Sequence, residues 1–304
     1  MTTSRIQHFK GMAFMVLAAL CTSINLLLGQ SMLDSMSVAW VVLLRFVVPL
    51  IMLTWVAIVS GFPKFPTRES WWPMIIRCFC FFLTQYFIFW YLKHGSYVIA
   101  AVLTCTAPIF VPIADRLFFH VHMSLKMWIS VAISFVGILL ILRPGGEGWN
   151  DWALLGLLSG MFSALGQVSF NQVAKKERPQ DTAFFLFLFG SVFSILLVLV
   201  ISEDSNYVAF VNLFQQRSVN WIWLAFGFVT VLAQLFRSRS YACVNKTGSV
   251  APLSYFTIIF SSLIAWVLFD QVFGIISWIG VILVAFGGFI LLHRKPQKPQ
   301  QGNL

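Results

Sequence analysis

Arg45 stands inside the apolar run VAWVVLLRFVVPLIMLTW, about seven residues from its start. In helical geometry that is roughly 10 Å of rise from the helix end. A guanidinium at that depth in an apolar phase costs about 2.5–3.5 kcal/mol on insertion scales. Either the side chain reaches out to an interface or a helix-end carbonyl, or it faces a wet cavity and attracts an anionic group such as a carboxylate. Pro49, four residues on, has no N–H and leaves the Arg45 carbonyl without its helical partner. Pro108 does the same to the carbonyl of Thr104 in another apolar run, where Thr106 adds a hydroxyl and Pro112 a second interruption. Such breaks are tolerated where the backbone is buried in protein or lines water, so they serve as packing kinks, as hinges or as cavity walls.

A second set of residues could contact a small ligand. Gln85, Tyr86 and Trp90 lie on one helix, with Tyr86 and Trp90 sharing a face at i,i+4. Gln167 and Asn171 have the same spacing on another, Gln234 and Tyr241 fall on a third, and Tyr255 on a fourth. An apolar pocket with a few placed polar groups is the usual form of a small-ligand site. Trp71, Trp72, Trp221 and Trp223, near helix ends, read instead as interfacial anchors. Gly156, Gly160 and Ala164 recur every four residues, the spacing of close helix packing.

The elements that must position these residues follow from composition. Of 304 residues 59% are hydrophobic and only 10% charged, and mean hydropathy is +0.87. A soluble domain carries about a quarter charged residues, so most of this surface must face lipid. Runs long enough to cross a bilayer core, about 20 residues each, lie near 11–33, 38–60, 72–92, 97–119, 126–142, 152–174, 183–202, 219–240, 250–269 and 274–292. The fold class is therefore all-α integral membrane with ten transmembrane helices. The first run, behind Arg5 and Lys10, resembles a signal peptide but extends too far and lacks a small residue at Leu20, so it reads as an uncleaved span. Ser202–Asn220 is the one long polar connection, and the Lys/Pro/Gln-rich tail 294–304 is expected to be disordered.

Charge placement orients the helices. With both termini in the cytoplasm, sixteen of the 20 Lys and Arg residues fall on the inner side, among them Arg77, Lys176, Arg237 and Arg239. Lys93, Arg143 and Arg217 fall outside, and Arg45 lies within a helix. The formal charge of +10 thus reflects membrane topology, and no nucleic acid is expected as a partner. A shift of 150 residues superposes Trp71 on Trp221, Tyr91 on Tyr241, Phe110 on Phe260, Trp128 on Trp278 and Gly137 on Gly287. Two repeats of five helices, an odd number, must insert in opposite orientations, as in many secondary transporters. The repeats span 1–145 and 146–293.

Several motifs then resemble the EamA branch of the drug/metabolite transporter superfamily over essentially the whole chain. LRF at 44–46, YLKHGSYVIAAVLTCTAPIF at 91–110, ILLILRPGG at 138–146 and YACVNKTGSVAPLSYFTIIFSSLIAWVLFD at 241–270 carry the resemblance by their order and spacing. The family's "G-E" pair is replaced by His120-Val121 and Asp270-Gln271, so no role of that glutamate carries over. The resemblance implies a multi-pass protein of the inner cell membrane, moving a small organic metabolite by alternating access. The cargo expected is an amino acid or another zwitterionic or nucleotide-like metabolite such as S-adenosylmethionine. Multidrug efflux is one alternative, and a membrane scaffold or lipid-handling subunit without a solute path is another. Membrane lipids and a small molecule are the expected partners, and a homo-oligomer is left open.

No GxxxxGK[ST] loop, GxSG string or HExxH motif is present, so ATP-driven pumping and intramembrane proteolysis find no support. Cys21, Cys78, Cys80, Cys105 and Cys243 all sit in apolar stretches without ligand spacing, as small buried hydrophobes. Neither a metal nor a cofactor is expected. Asp115-Arg116 reads as a local pair or a solvated helix end.

Overall fold

A computed structural model describes residues 2–119, 125–142, 151–173, 176–201, 219–243, 251–270 and 274–292. The expected tail 294–304, the 202–218 part of the long polar connection, Arg143, Arg217, His120-Val121 and Gln271 lie outside the described residues, and the side chain of Asp115 is not described either. All regular structure among the described residues is helical: α1 Thr2–Leu33, α2 Val38–Ser60, α3 Trp71–His94, α4 Tyr97–Thr104, α5 Ala107–Phe119, α6 Leu125–Leu142, α7 Ala153–Val173, α8 Pro179–Ile201, α9 Val219–Cys243, α10 Phe256–Phe269 and α11 Ile275–Leu292. A 3₁₀ segment, Ala251–Tyr255, leads directly into α10.

Among the described residues, six stretches are long and apolar enough to cross a membrane: Phe9–Leu33, Val38–Ile58, Trp71–His94, Ala153–Phe170, Gln180–Ile201 and Trp221–Ser240. The others, Tyr97–Val111, Val131–Ile141, Leu253–Leu268 and Ile275–Val284, are apolar but shorter. Together they match the ten expected runs one for one, with the fourth split into α4 and α5 at Cys105-Thr106. The split falls just before Pro108, where the missing N–H was expected to interrupt the ladder. Local bonds bridge it: Cys105 N donates to Val102 O (2.9 Å) and Thr106 N to Leu103 O (3.2 Å).

Helix pairing obeys an exchange rule. α1 packs on α9 and α3 on α7; α3 packs on α8 and α2 on α9; α4 and α5 pack on α7, and the 3₁₀–α10 unit on α1. Each pair becomes the next when the halves are swapped, while α2·α8, α6·α11 and α4·α10 map onto themselves. This is the pairing of a pseudo-two-fold arrangement, and the helix breaks obey it too. Residue 105 plus 150 is 255, so the interruption in the first half and the 3₁₀-to-α junction in the second occupy the same repeat position.

Small residues let backbones approach where the pairing demands it. A Cβ on Gly156 would strike Leu103, and one on Gly160 would strike Thr106 Oγ1, so the α7 stripe predicted from its spacing seats the α4–α5 break. Between α6 and α11 the approach is backbone to backbone, Gly137 against the Gly280 carbonyl and the reverse. The outward faces carry the lipid-facing apolar belt, with Trp55, Leu199, Val200, Val267 and Ile275 all at least 70% exposed.

Ends expected on one side of the membrane do meet. Ser240 Oγ donates to Gly11 O, joining the end of α9 to the start of α1. The α2–α3 connection meets the α7–α8 connection, where Thr67 N and Oγ1 both donate to Glu177 Oε1 at 2.9 Å and Lys176 pairs with Glu69. At the opposite end the side chains of Trp90, His94 and Trp152 stack between α3 and the start of α7. Two expectations need correction. Trp223, read as an interfacial anchor, is 5% exposed in the core, whereas Trp72 and Trp221 are exposed as anchors should be. Arg77, read as an inner-side flanking charge, is buried 3.7 Å over the Phe170 ring.

Candidate functional site

The polar residues of the helix bundle converge on one cavity of about 100 Å³ between the two halves. α1 contributes Thr22 and Asn25, α3 Thr84 and Gln85, α7 Ser163 and Gln167, and α9 Thr230, Gln234 and Arg237. On α1, α7 and α9 the contributing residues are spaced i,i+3 or i,i+4 and form one polar stripe each, while on α3 Thr84 and Gln85 are neighbours. The breaks complete the wall. Thr104 and Ala107 line it from α4 and α5, and Ser254 and Thr257 from the second-half junction. These are repeat mates, 104 with 254 and 107 with 257, so the pseudo-two-fold passes through the cavity itself.

Hydrogen bonds tie the wall across the halves. Asn25 Nδ2 donates to Thr230 Oγ1 (2.5 Å) and to Phe226 O (3.2 Å), linking α1 to α9. Ser23 Oγ donates to Thr257 O (2.9 Å), and Tyr97 OH to Ser23 O (2.8 Å). Thr84 Oγ1 bonds back to Cys80 O and across to Ser159 O, linking α3 to α7. Most wall hydroxyls thus satisfy carbonyls of their own or a facing helix, and the larger polar groups are left to face the cavity.

Arg45 reaches this cavity from α2. Its guanidinium carbon lies 5.5 Å from the centroid of Phe89 and 5.6 Å from that of Phe226, so two aromatic faces hold the cation on the protein side. Its buried Nε and Nη1 have no hydrogen-bond partner among the described residues. The second cation on the wall, Arg237, donates from Nη2 to Thr22 Oγ1 (3.2 Å), a neutral partner. No aspartate or glutamate lies on the cavity wall among the described residues. Among the described residues the chamber therefore carries two positive charges and no negative one.

The structure sorts the sequence-predicted residues. Arg45, Gln85, Thr104, Gln167 and Gln234 line the cavity. Tyr86 and Trp90 share a face, ring centroids 6.4 Å apart, but Trp90 stacks on Trp152 at 5.7 Å toward the bundle end and neither lines the cavity. Thr106 is buried against Gly160 and donates to Leu103 O, and Tyr255 is buried behind the wall. Both fall one residue off the i,i+3 face that Thr104–Ala107 and Ser254–Thr257 present. Pro49 sits one turn beyond Arg45 within α2, which continues through it unbroken. Pro108 and Pro112 lie in α5, and their side chains, with those of Asn171 and Tyr241, lie outside the described residues. Arg237 was assigned to the inner flank; its helix carries it instead to the cavity.

Known proteins resemble this chain at low identity. A riboflavin transporter of Vibrio cholerae is 22% identical over 199 residues, 66% of this chain and 63% of that protein. A pseudopaline exporter of Pseudomonas aeruginosa is 23% identical over 209 residues, 68% and 70% of the two chains. An S-adenosylmethionine uptake transporter of Rickettsia bellii is 22% identical over 172 residues, covering 57% of this chain and 55% of its own length. This chain thus spans less than two thirds of the Vibrio and Rickettsia relatives. One crystal structure superimposes with a TM-score of 0.59 over 95% of this chain and 96% of its own at 16% identity, a likeness of fold. The model of the EamA-like transporter family matches twice, over residues 9–143 and 150–293, one match per half. With both halves matched and the helix pairing symmetric between them, the chain belongs to the EamA-like transporter family, within the drug/metabolite transporter superfamily.

Proposed function

We propose that the protein is a secondary transporter of a small organic metabolite bearing a carboxylate or similar anionic group, working by alternating access between its two five-helix halves. The reading takes the chain as ten membrane spans in two inverted repeats, 1–145 and 146–293, with both termini on the cytoplasmic face of the inner cell membrane. The observation that carries it is Arg45: a buried guanidinium on the cavity wall with two unpartnered nitrogens. A buried charge without its hydrogen bonds is costly, and a bound anion supplies what the wall lacks.

The cavity of about 100 Å³ fits this cycle. By this measure one water occupies roughly 10–15 Å³, so the chamber holds a small water cluster and corresponds to a nearly closed conformer. Larger cargo enters when the halves part. The names of the relatives, riboflavin, pseudopaline and S-adenosylmethionine carriers, support a metabolite as cargo. An amino acid would place its carboxylate at Arg45 and its ammonium on Gln85, Gln167 or Gln234. A purely cationic drug finds two like charges on this wall, which speaks against the efflux alternative.

Reconstitution of the purified chain into liposomes tests the proposal. Counterflow of labelled organic acids and amino acids is expected with the wild type and at least tenfold less with Arg45→Gln. Vesicles silent to the whole panel, with Arg45→Gln indistinguishable from wild type in cells, would favour the scaffold reading.

A further inference from the structure

Given the transporter reading, we infer that the cargo is a dianion, a small organic acid with two separate carboxylates, one held by Arg45 and the other by Arg237. Both arginines line the one cavity, and no described carboxylate balances either of them. One such charge could be offset by the single carboxylate of an amino acid. A second would then remain unmatched, and the ammonium of the same amino acid would meet it.

The two guanidinium heads lie at different levels. Arg45 sits over the Phe226 ring, and the Phe226 carbonyl meets Asn25 on α1. Arg237, eleven residues further along α9, about 16 Å of rise, leans back to meet Thr22 on α1. Thr22 and Asn25 are nearly one helical turn, about 4.5 Å of rise, apart on α1, so the two arginines are anchored by different parts of the wall. A compact anion such as sulfate engages one head at a time, whereas a chain with a carboxylate at each end reaches both.

The wall between the heads is polar but uncharged, with Gln85, Gln167 and Gln234 as donors and acceptors for the middle of the molecule. The aromatic faces of Phe89 and Phe226 hold Arg45 without competing for its N–H groups, which stay directed to cargo. Arg237 spends one N–H on Thr22 Oγ1, a hydroxyl that orients the fork without neutralising it. Forked recognition of carboxylates is what distinguishes arginine from lysine in such a role.

Thermal unfolding of the purified full-length protein tests this without relying on flux, because a ligand of the folded state raises its stability. The probes are succinate, glutarate and adipate, against glutamine, butyrate and inorganic sulfate. At least one dicarboxylate should stabilise the wild type at concentrations tenfold or more below those needed for glutamine, butyrate or sulfate. Arg237→Gln should erase that preference, bringing dicarboxylate and monocarboxylate to parity, and Arg237→Lys should retain part of it. Equal stabilisation by glutamine or sulfate, an unchanged preference in Arg237→Gln, or no response to any dicarboxylate would overturn the dianion. Binding of dicarboxylates without counterflow would instead refute the transporter reading and leave the site standing.

Discussion

At the scale of single residues, the role proposed for Arg45 rests on how its surroundings differ from those of a structural arginine. A structural arginine in a membrane helix finds an acid, a carbonyl or the interface; Arg45 finds two aromatic rings and a polar-lined cavity. Its removal should therefore separate stability from activity. Arg45→Met is expected to leave the unfolding midpoint unchanged or raise it by a few degrees, because a desolvated charge is removed, while counterflow falls at least tenfold. A parallel loss of both would show instead that the side chain holds the fold. Arg45 was legible because one charge in an apolar run stands out. Arg237 was not, since in RSRS near a helix end it reads as ordinary flanking charge. Thr22, Asn25 and Ser163 were missed for another reason. Small polar residues in membrane helices commonly bond back one turn, as Thr22 Oγ1 does to Ala18 O (2.8 Å), and sequence does not reveal which of them also face a cavity.

Among elements, close packing fixes where the breaks sit. Gly160 receives Thr106, so a side chain there pushes on the junction of α4 and α5. Overpacking of this kind costs about 1–3 kcal/mol, and Gly160→Val should lower the unfolding midpoint correspondingly in detergent. Tyr86 and Trp90 teach the converse lesson. Their i,i+4 face was readable from the sequence, but which neighbour that face would meet was not, because Trp152 approaches it from a helix 62 positions away.

The connections between elements add a pH-dependent contact. Lys176, by hydrogen bond and charge, holds the Glu69 carboxyl below its ordinary value. For Glu177, desolvation pushes upward but is outweighed by the Thr67 N–H, the Ser70 and Thr67 hydroxyls and Lys176, so its net displacement is also downward. A carboxylate with a depressed folded value contributes stability above its unfolded value, near 4.5, and loses it as pH falls through the lower folded value. Stability from this contact should be flat between pH 6 and 8 and decline only below about 4.5. Because Glu69 is exposed and Glu177 only partly buried, the effect is small. Glu177→Gln should flatten the acid limb of a melting-temperature profile, and an unchanged limb would assign the decline to other groups.

For the molecule as a whole, the two-fold pairing makes a mechanical prediction. Glu69 and Lys176 belong to different halves and meet at one end of the bundle. Cysteines placed at both positions, with the native cysteines replaced and a short bifunctional thiol reagent added, should tie that end shut. Counterflow should then stop, and a cleavable reagent should restore it on reduction; continued flux would exclude rocking of the halves at that end. The sequence repeat gave the number of helices per half and their order, since apolar length and charge alternation are local properties. It did not show that residues 104 and 254, or 107 and 257, share one chamber, because such sharing depends on how two separate halves dock.

The chamber's charge has one more effect. Hydronium or sodium approaching along any thread of water would meet two fixed guanidiniums and, among the described residues, no carboxylate to rest on, an arrangement that bars protons and cations in selective pores. If the proposed cargo is right, the pair that draws in an organic acid would also insulate the lipid barrier, keeping an idle carrier from short-circuiting the ion gradients across it.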